Sequence, residues 1–100
     1  MMIRLTTDRP PTLEDLDRLD RLHATTDGPL TEMRLDGLCR ADDDAHVWLD
    51  VAAARRVGVD ATGDPGFAER YDAMIAYASS KDWLDEAGTH VRAHVEPPPH

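Results

Sequence analysis

Two short segments carry the residues best suited to chemistry: Ala45-His46-Val47-Trp48-Leu49-Asp50-Val51 and Thr89-His90-Val91-Arg92-Ala93-His94-Val95. Each alternates small apolar residues with polar ones, the period of a strand that is buried on one side only. If both are strands of one sheet, His46, Trp48, Asp50, His90, Arg92 and His94 share its polar surface. Neutral imidazole beside carboxylate is a metal-ligand set, and imidazole oriented by carboxylate is a general base.

Spacing limits the metal version. His90 and His94 lie four residues apart, roughly 13 Å along a strand, so one ion cannot take both without His46 or Asp50 from across the sheet. The plainer arrangement is a solvated face, with Arg92 over the Trp48 ring and paired to Asp50. Trp48 remains conspicuous on the polar side. A tryptophan there wants cover from a loop, a ligand or a second copy, and tryptophan and arginine anchor many interfaces. The six residues are therefore read as a ligand-binding or interface surface. No catalytic residue, metal ligand or cofactor is assigned.

Other candidates carry less. Cys39 has no flanking signature of a nucleophile and reads as a small buried apolar residue. Asp42-Asp43-Asp44 with Asp36 lacks the alternating acids, central glycine and final glutamate of a calcium loop. Gly58, Gly63 and Gly66 form neither a P-loop nor a dinucleotide fingerprint, and Gly88-Thr89-His90 is not a nucleophile elbow.

The elements must position that surface. Met2, Ile3 and Leu5 suggest a first strand, ended by Pro10-Pro11. Thr12-Leu13-Glu14-Asp15 resembles a capping box, and Leu13, Leu16, Leu19 and Leu22 form a stripe, so a helix is expected over 12–24, supported by Glu14–Arg18 and Asp17–Arg21 pairs. Met33 and Leu35 alternate with charges and favour a strand ending near Gly37. Ala41 to Asp44 reads as a turn. Asp50 ends the next strand and caps a short helix, Val51 to Val57, closed by Gly58. Asp64-Pro65 opens a helix over 65–80, with Phe67, Tyr71, Met74, Ile75 and Ala78 on one face. Trp83-Leu84 and the second alternating segment flank a hairpin turn at Gly88. Residues 97–100 read as an extended Pro-rich tail beyond a single domain over 1–96.

From residue 46 the order is strand, short helix, long helix, hairpin. It suits a winged helix, or a helix pair packed on a small antiparallel sheet. The winged-helix version makes a poor DNA reader, because Arg70 and Lys81 in the long helix face Asp64, Glu69, Asp72 and Asp82.

Composition narrows the classes further. The chain has 100 residues and a net charge of −9, so phosphate backbones and anionic membranes are disfavoured partners. Leu, Val, Ile and Phe total 19, a thin supply of core that favours self-association. One cysteine excludes an intramolecular disulfide, and no stretch has the length of a membrane span, which fits a cytoplasmic protein. The expected fold is α+β, a small antiparallel sheet with two main helices, 12–24 and 65–80, packed on one face. The expected function is that of a non-catalytic interaction or accessory protein acting as a homodimer, through the Trp48 face or the Phe67–Tyr71–Tyr77 helix. The alternatives are a small ligand- or metal-binding enzyme domain using the His/Asp/Arg face, and a winged-helix-like regulator.

Overall fold

A computed structural model describes residues 1–19, 21–43 and 45–96. The expected Pro-rich tail at 97–100 lies outside the described residues. So do Asp20, inside the expected first helix, and Asp44, at the end of the expected acidic turn.

The fold is α+β. Six strands, β1 (Met2–Leu5), β2 (Thr12–Glu14), β3 (His23–Thr26), β4 (Cys39–Asp43), β5 (His46–Asp50) and β6 (His90–Glu96), form one open sheet in the order β2-β1-β3-β6-β5-β4. Two helices, α1 (Val51–Thr62) and α2 (Phe67–Ser80), connect β5 to the final hairpin. The sheet is mixed, not purely antiparallel: β3 runs parallel to both β1 and β6, while β5 runs antiparallel to β6. The cause lies in connection length. A tight hairpin forces antiparallel pairing, whereas the long excursion between β3 and β6 lets the last strand enter the middle of the sheet in either sense.

The expected helix over 12–24 does not form. Thr12–Glu14 instead pairs antiparallel with β1, placing Leu13 opposite Ile3 and allowing an ion pair between Arg4 and Glu14. Asp15 then takes a left-handed φ of 52°, which no helix propagates, and a turn follows with Arg18 N–H donating to the Asp15 carbonyl at 2.9 Å. Leu16, Leu19 and Leu22 still reach the core edge. Their three-residue spacing winds around a helix, but it serves an irregular connection that must drop a side chain inward at each turn. Tertiary pairing outweighs a local cap signal worth about 1 kcal/mol.

Between β3 and β4 the expected strand is replaced by a 3₁₀ turn at Leu30–Glu32 and a tight turn at Leu35–Leu38. Asp36 and Gly37 both have positive φ, 50° and 80°, the backbone that an Asp-Gly pair favours in short hairpin loops. The acidic run is not simply a turn: β4 continues to Asp43 through an irregularity between Ala41 and Asp43.

The second half of the chain follows its pattern more closely. The Asp50 carboxylate accepts from Ala53 N–H at 2.9 Å and caps α1, as its position predicts. However, α1 runs past Gly58 to Thr62 and ends at Gly63, whose φ is 61°. Gly58 has another task, because a Cβ there would sit 2.4 Å from Phe67 Cζ. The bare backbone lets the two helices approach. At the start of α2, Asp64 takes a bond from Gly66 N–H at 2.9 Å, and the helix proper begins at Phe67.

Both helices pack on one face of the sheet, as expected, with α2 as the only long helix of the expected pair that exists. Ile3, Leu5, Ala24, Val47, Leu49, Val91 and Ala93 from the strands meet Ala54, Phe67 and Tyr71 from the helices, and all are essentially without solvent contact. Tyr71 is fully buried and places its hydroxyl against the Val51 carbonyl at 2.8 Å. Buried Phe67 and Tyr71 therefore cannot form the association surface that the sequence allowed; of that helical trio only Tyr77 is exposed. No helix among the described residues is long and apolar enough to cross a membrane.

Candidate functional site

Strand register assembles the polar surface. β5 and β6 pair so that His46 faces His94, Trp48 faces Arg92 and Asp50 faces His90. Their alternating partners Val47, Leu49, Val91 and Ala93 point into the core. All six sequence-selected residues thus lie on two adjacent strands and one side of the sheet.

The six do not act as one cluster. His46 and His94 form an edge-to-face ring pair with centroids 5.3 Å apart. Arg92 turns away from Asp50: its Nε donates to Asp42 Oδ2 at 2.9 Å and its Nη2 to Asp43 Oδ2 at 3.2 Å. Asp43 also lies 3.0 Å from His46 Nδ1. Hydrogen bonds from Ala45 N–H and then His46, with Arg92 nearby, hold the Asp43 carboxyl below the usual carboxylate range. The expected Asp50–Arg92 pair is absent because Asp50 is committed to capping α1. Trp48 is half-buried between Arg40 and Arg92 in register on the flanking strands, and among the described residues no cation sits over its ring.

At the far end, His90 joins the turn instead of the surface. Its Nδ1 lies 2.8 Å from Thr89 Oγ1 and 3.3 Å from Asp85 Oδ2. The Thr89 hydroxyl also donates to Asp85 at 3.1 Å. A catalytic relay needs nucleophile and acid on opposite ring nitrogens; here both meet the same one. Burial pushes the Asp85 carboxyl up, but the N–H groups of His90 and Thr89 outweigh it and leave it below its ordinary value. The group is a structural lock on the hairpin.

A third imidazole joins the row. His23 in β3 lies opposite His94, so β3, β6 and β5 present His23, His94 and His46 side by side. Placing residues 12–24 in a helix hid it; the alternation His23-Ala24-Thr25-Thr26, with Ala24 and Thr26 buried, was the available signal. His23 Nε2 lies 4.0 Å from Glu96. Among the described residues no group of three or more His, Cys, Asp or Glu side chains converges tightly enough to hold a metal ion. Cys39 is buried, and burial pushes its thiol up to about 12, so it supplies no nucleophile near neutral pH.

The row borders a cleft of about 940 Å³. It lies where β6 changes neighbours. The Trp83–Leu84 segment flanks β6 at Val91 and Arg92, and β3 flanks it from His94 onward. Leu19 and Leu22 from the β2–β3 connection and Met74 and Tyr77 from α2 complete the apolar wall. Tyr77 and Trp83 are exposed and touch edge to face, with ring centroids 5.8 Å apart.

No protein-family model, no curated protein and no solved structure matches this chain.

Proposed function

We propose that the protein works by binding instead of by catalysis, as a homodimer whose two open sheet faces meet. The observation that carries this reading is the ladder of His46–His94, Trp48–Arg92 and Asp50–His90 on the side of the sheet opposite both helices. Arg4, Arg40, Arg92 and His94 on that side are all exposed. Parallel pairing is characteristic of sheets covered on both faces; here β1, β3 and β6 run parallel, and half-buried Trp48 stands on β5, one strand in from the β4 edge.

Two features favour a second copy as the cover. The face carries both signs of charge, Arg4, Arg40 and Arg92 with Glu14, Asp42 and Glu96, which an isologous two-fold contact requires. The sheet edges, by contrast, are guarded: β2 has three residues, and β4 carries Arg40, Asp42, Asp43 and a register shift. Face-to-face packing of two sheets is then the favoured contact, and edge pairing is not.

Light scattering tests this directly. Wild type is expected at twice 11.1 kDa. Trp48→Ala, a truncation at an interface centre, is expected to weaken the dimer about 30-fold. A monomeric wild type at ~100 μM, or a dimer indifferent to Trp48→Ala, overturns the reading.

A further inference from the structure

The cleft beside β6 carries a second inference; its rim shares His46, Arg92 and His94 with the proposed dimer face. In a chain of net charge −9, its lining holds three arginines, three histidines and a single carboxylate, Glu96. We propose that it binds a small apolar carboxylate, an acid with a hydrocarbon body and one anionic head.

Size, wall and rim agree. A volume of about 940 Å³ suits a ligand of drug-like size. The wall offers Leu19, Leu22, Met74, Ile75 and Val91, none of which donates a hydrogen bond to a polar body; the Trp83 indole N–H and the Tyr77 hydroxyl are the exceptions, both on exposed residues. The rim offers Arg21, Arg92, His23, His46 and His94. Arg92 and Arg70 bring their own partners, Asp42 and Asp43 for one and Asp64 for the other, but none of those carboxylates lines the cleft. Arg21 lines the cleft, is exposed and makes no ion pair among the described residues, which leaves its fork open to take a carboxylate head in two parallel bonds. A cationic amphiphile meets the same wall but the wrong rim, and a polar anion such as phosphate meets the rim without using the wall. The body and the head are therefore both specified. The protein's overall negative charge turns away an anionic membrane, which makes a free acid the ligand, not an acyl chain in a bilayer.

The test is calorimetry of the full chain with dodecanoate, dodecyltrimethylammonium and inorganic phosphate, plus sedimentation with vesicles of an anionic phospholipid. Dodecanoate is expected to bind once per chain below ~100 μM, with the other three at least tenfold weaker. Ala73→Trp fills the cleft from an exposed position of α2, and Arg21→Glu reverses the rim charge; each is expected to weaken dodecanoate by ~10-fold or more while the circular dichroism spectrum stays unchanged. Equal binding of the cationic amphiphile, preference for vesicles, no dodecanoate binding below ~1 mM, or indifference to both variants overturns the proposal. Light scattering on the same samples reads the dimer separately, so one proposal can fail while the other stands.

Discussion

Gly58→Ala sets two quantities against each other. On a bare helix, alanine in place of an interior glycine gains about 1 kcal/mol. In this protein the added Cβ would lie 2.4 Å from Phe67 Cζ and 2.5 Å from its Cε1, where carbon atoms normally rest ~3.5–4.0 Å apart. Over an ångström of movement is needed. Phe67 has 0% exposure and stacks at a tilt on Tyr71, with centroids 5.7 Å apart, so the ring has nowhere to go. Overpacking of this kind costs roughly 1–3 kcal/mol, and an overlap this large belongs at the upper end. The net expectation is a loss of about 2 kcal/mol, or a fall of roughly 8–15 °C in Tm for a domain of this size. Urea unfolding followed by circular dichroism measures it, with Ala52→Gly at an exposed position of α1 as the control, expected to lose about 1 kcal/mol. A G58A protein as stable as wild type, or more so, refutes the close helix approach on which the placement of α2 depends.

Tyr71→Phe removes the 2.8 Å bond to the Val51 carbonyl and should cost about 1 kcal/mol in the same assay, with the fold retained. Burial pushes both the Cys39 thiol, to about 12, and the Tyr71 hydroxyl upward. The folded state therefore holds these protons more tightly than the unfolded chain. Stability they support is intact below an unfolded thiol pKa of about 8.5 and is lost as pH rises from there towards 12, which denaturation titrations across that range would show. For the same reason, a thiol-specific disulfide reagent at pH 8 should react with Cys39 only after urea is added. At the acid end the sign reverses. Asp43, Asp64, Asp72 and Asp85 sit below their ordinary values, so their contribution holds above about pH 4 and fades as pH falls below it, by small amounts for Asp43, Asp64 and Asp72, whose carboxylates are about half exposed.

The sequence made the second half of the chain legible and the first half largely not. Val47, Leu49, Val91 and Ala93 alternate so strictly that any shift of register by one residue would bury His46 or Arg92, which fixes both strands and their inner face. Asp50 is readable as a cap because it stands between an alternating run and an alanine-rich one. Residues 12–24 misled for the opposite reason. Their cap-like start and leucine spacing are local signals, whereas β2 exists through its pairing with β1, and β3 through its pairing with β1 and β6. Nothing short-range announces a pairing between His23 and His94, which lie 71 residues apart and meet only after both helices have folded back. The cleft was invisible for the same reason, since its walls come from the β2–β3 connection, α2 and the final hairpin. Arg92 shows a finer limit. Its place on the face followed from alternation, but its choice of Asp42 and Asp43 over Asp50 followed from the helix cap that already engaged Asp50.

Whether two copies meet through the open face can be read by isotope-filtered NMR on an equal mixture of labelled and unlabelled chains. Intermolecular cross-peaks from the Trp48 indole to protons of Arg92, His94 and Arg40 are the expected result. Cross-peaks confined to Tyr77 and Trp83, or none at concentrations where the mass is that of a dimer, would contradict the account.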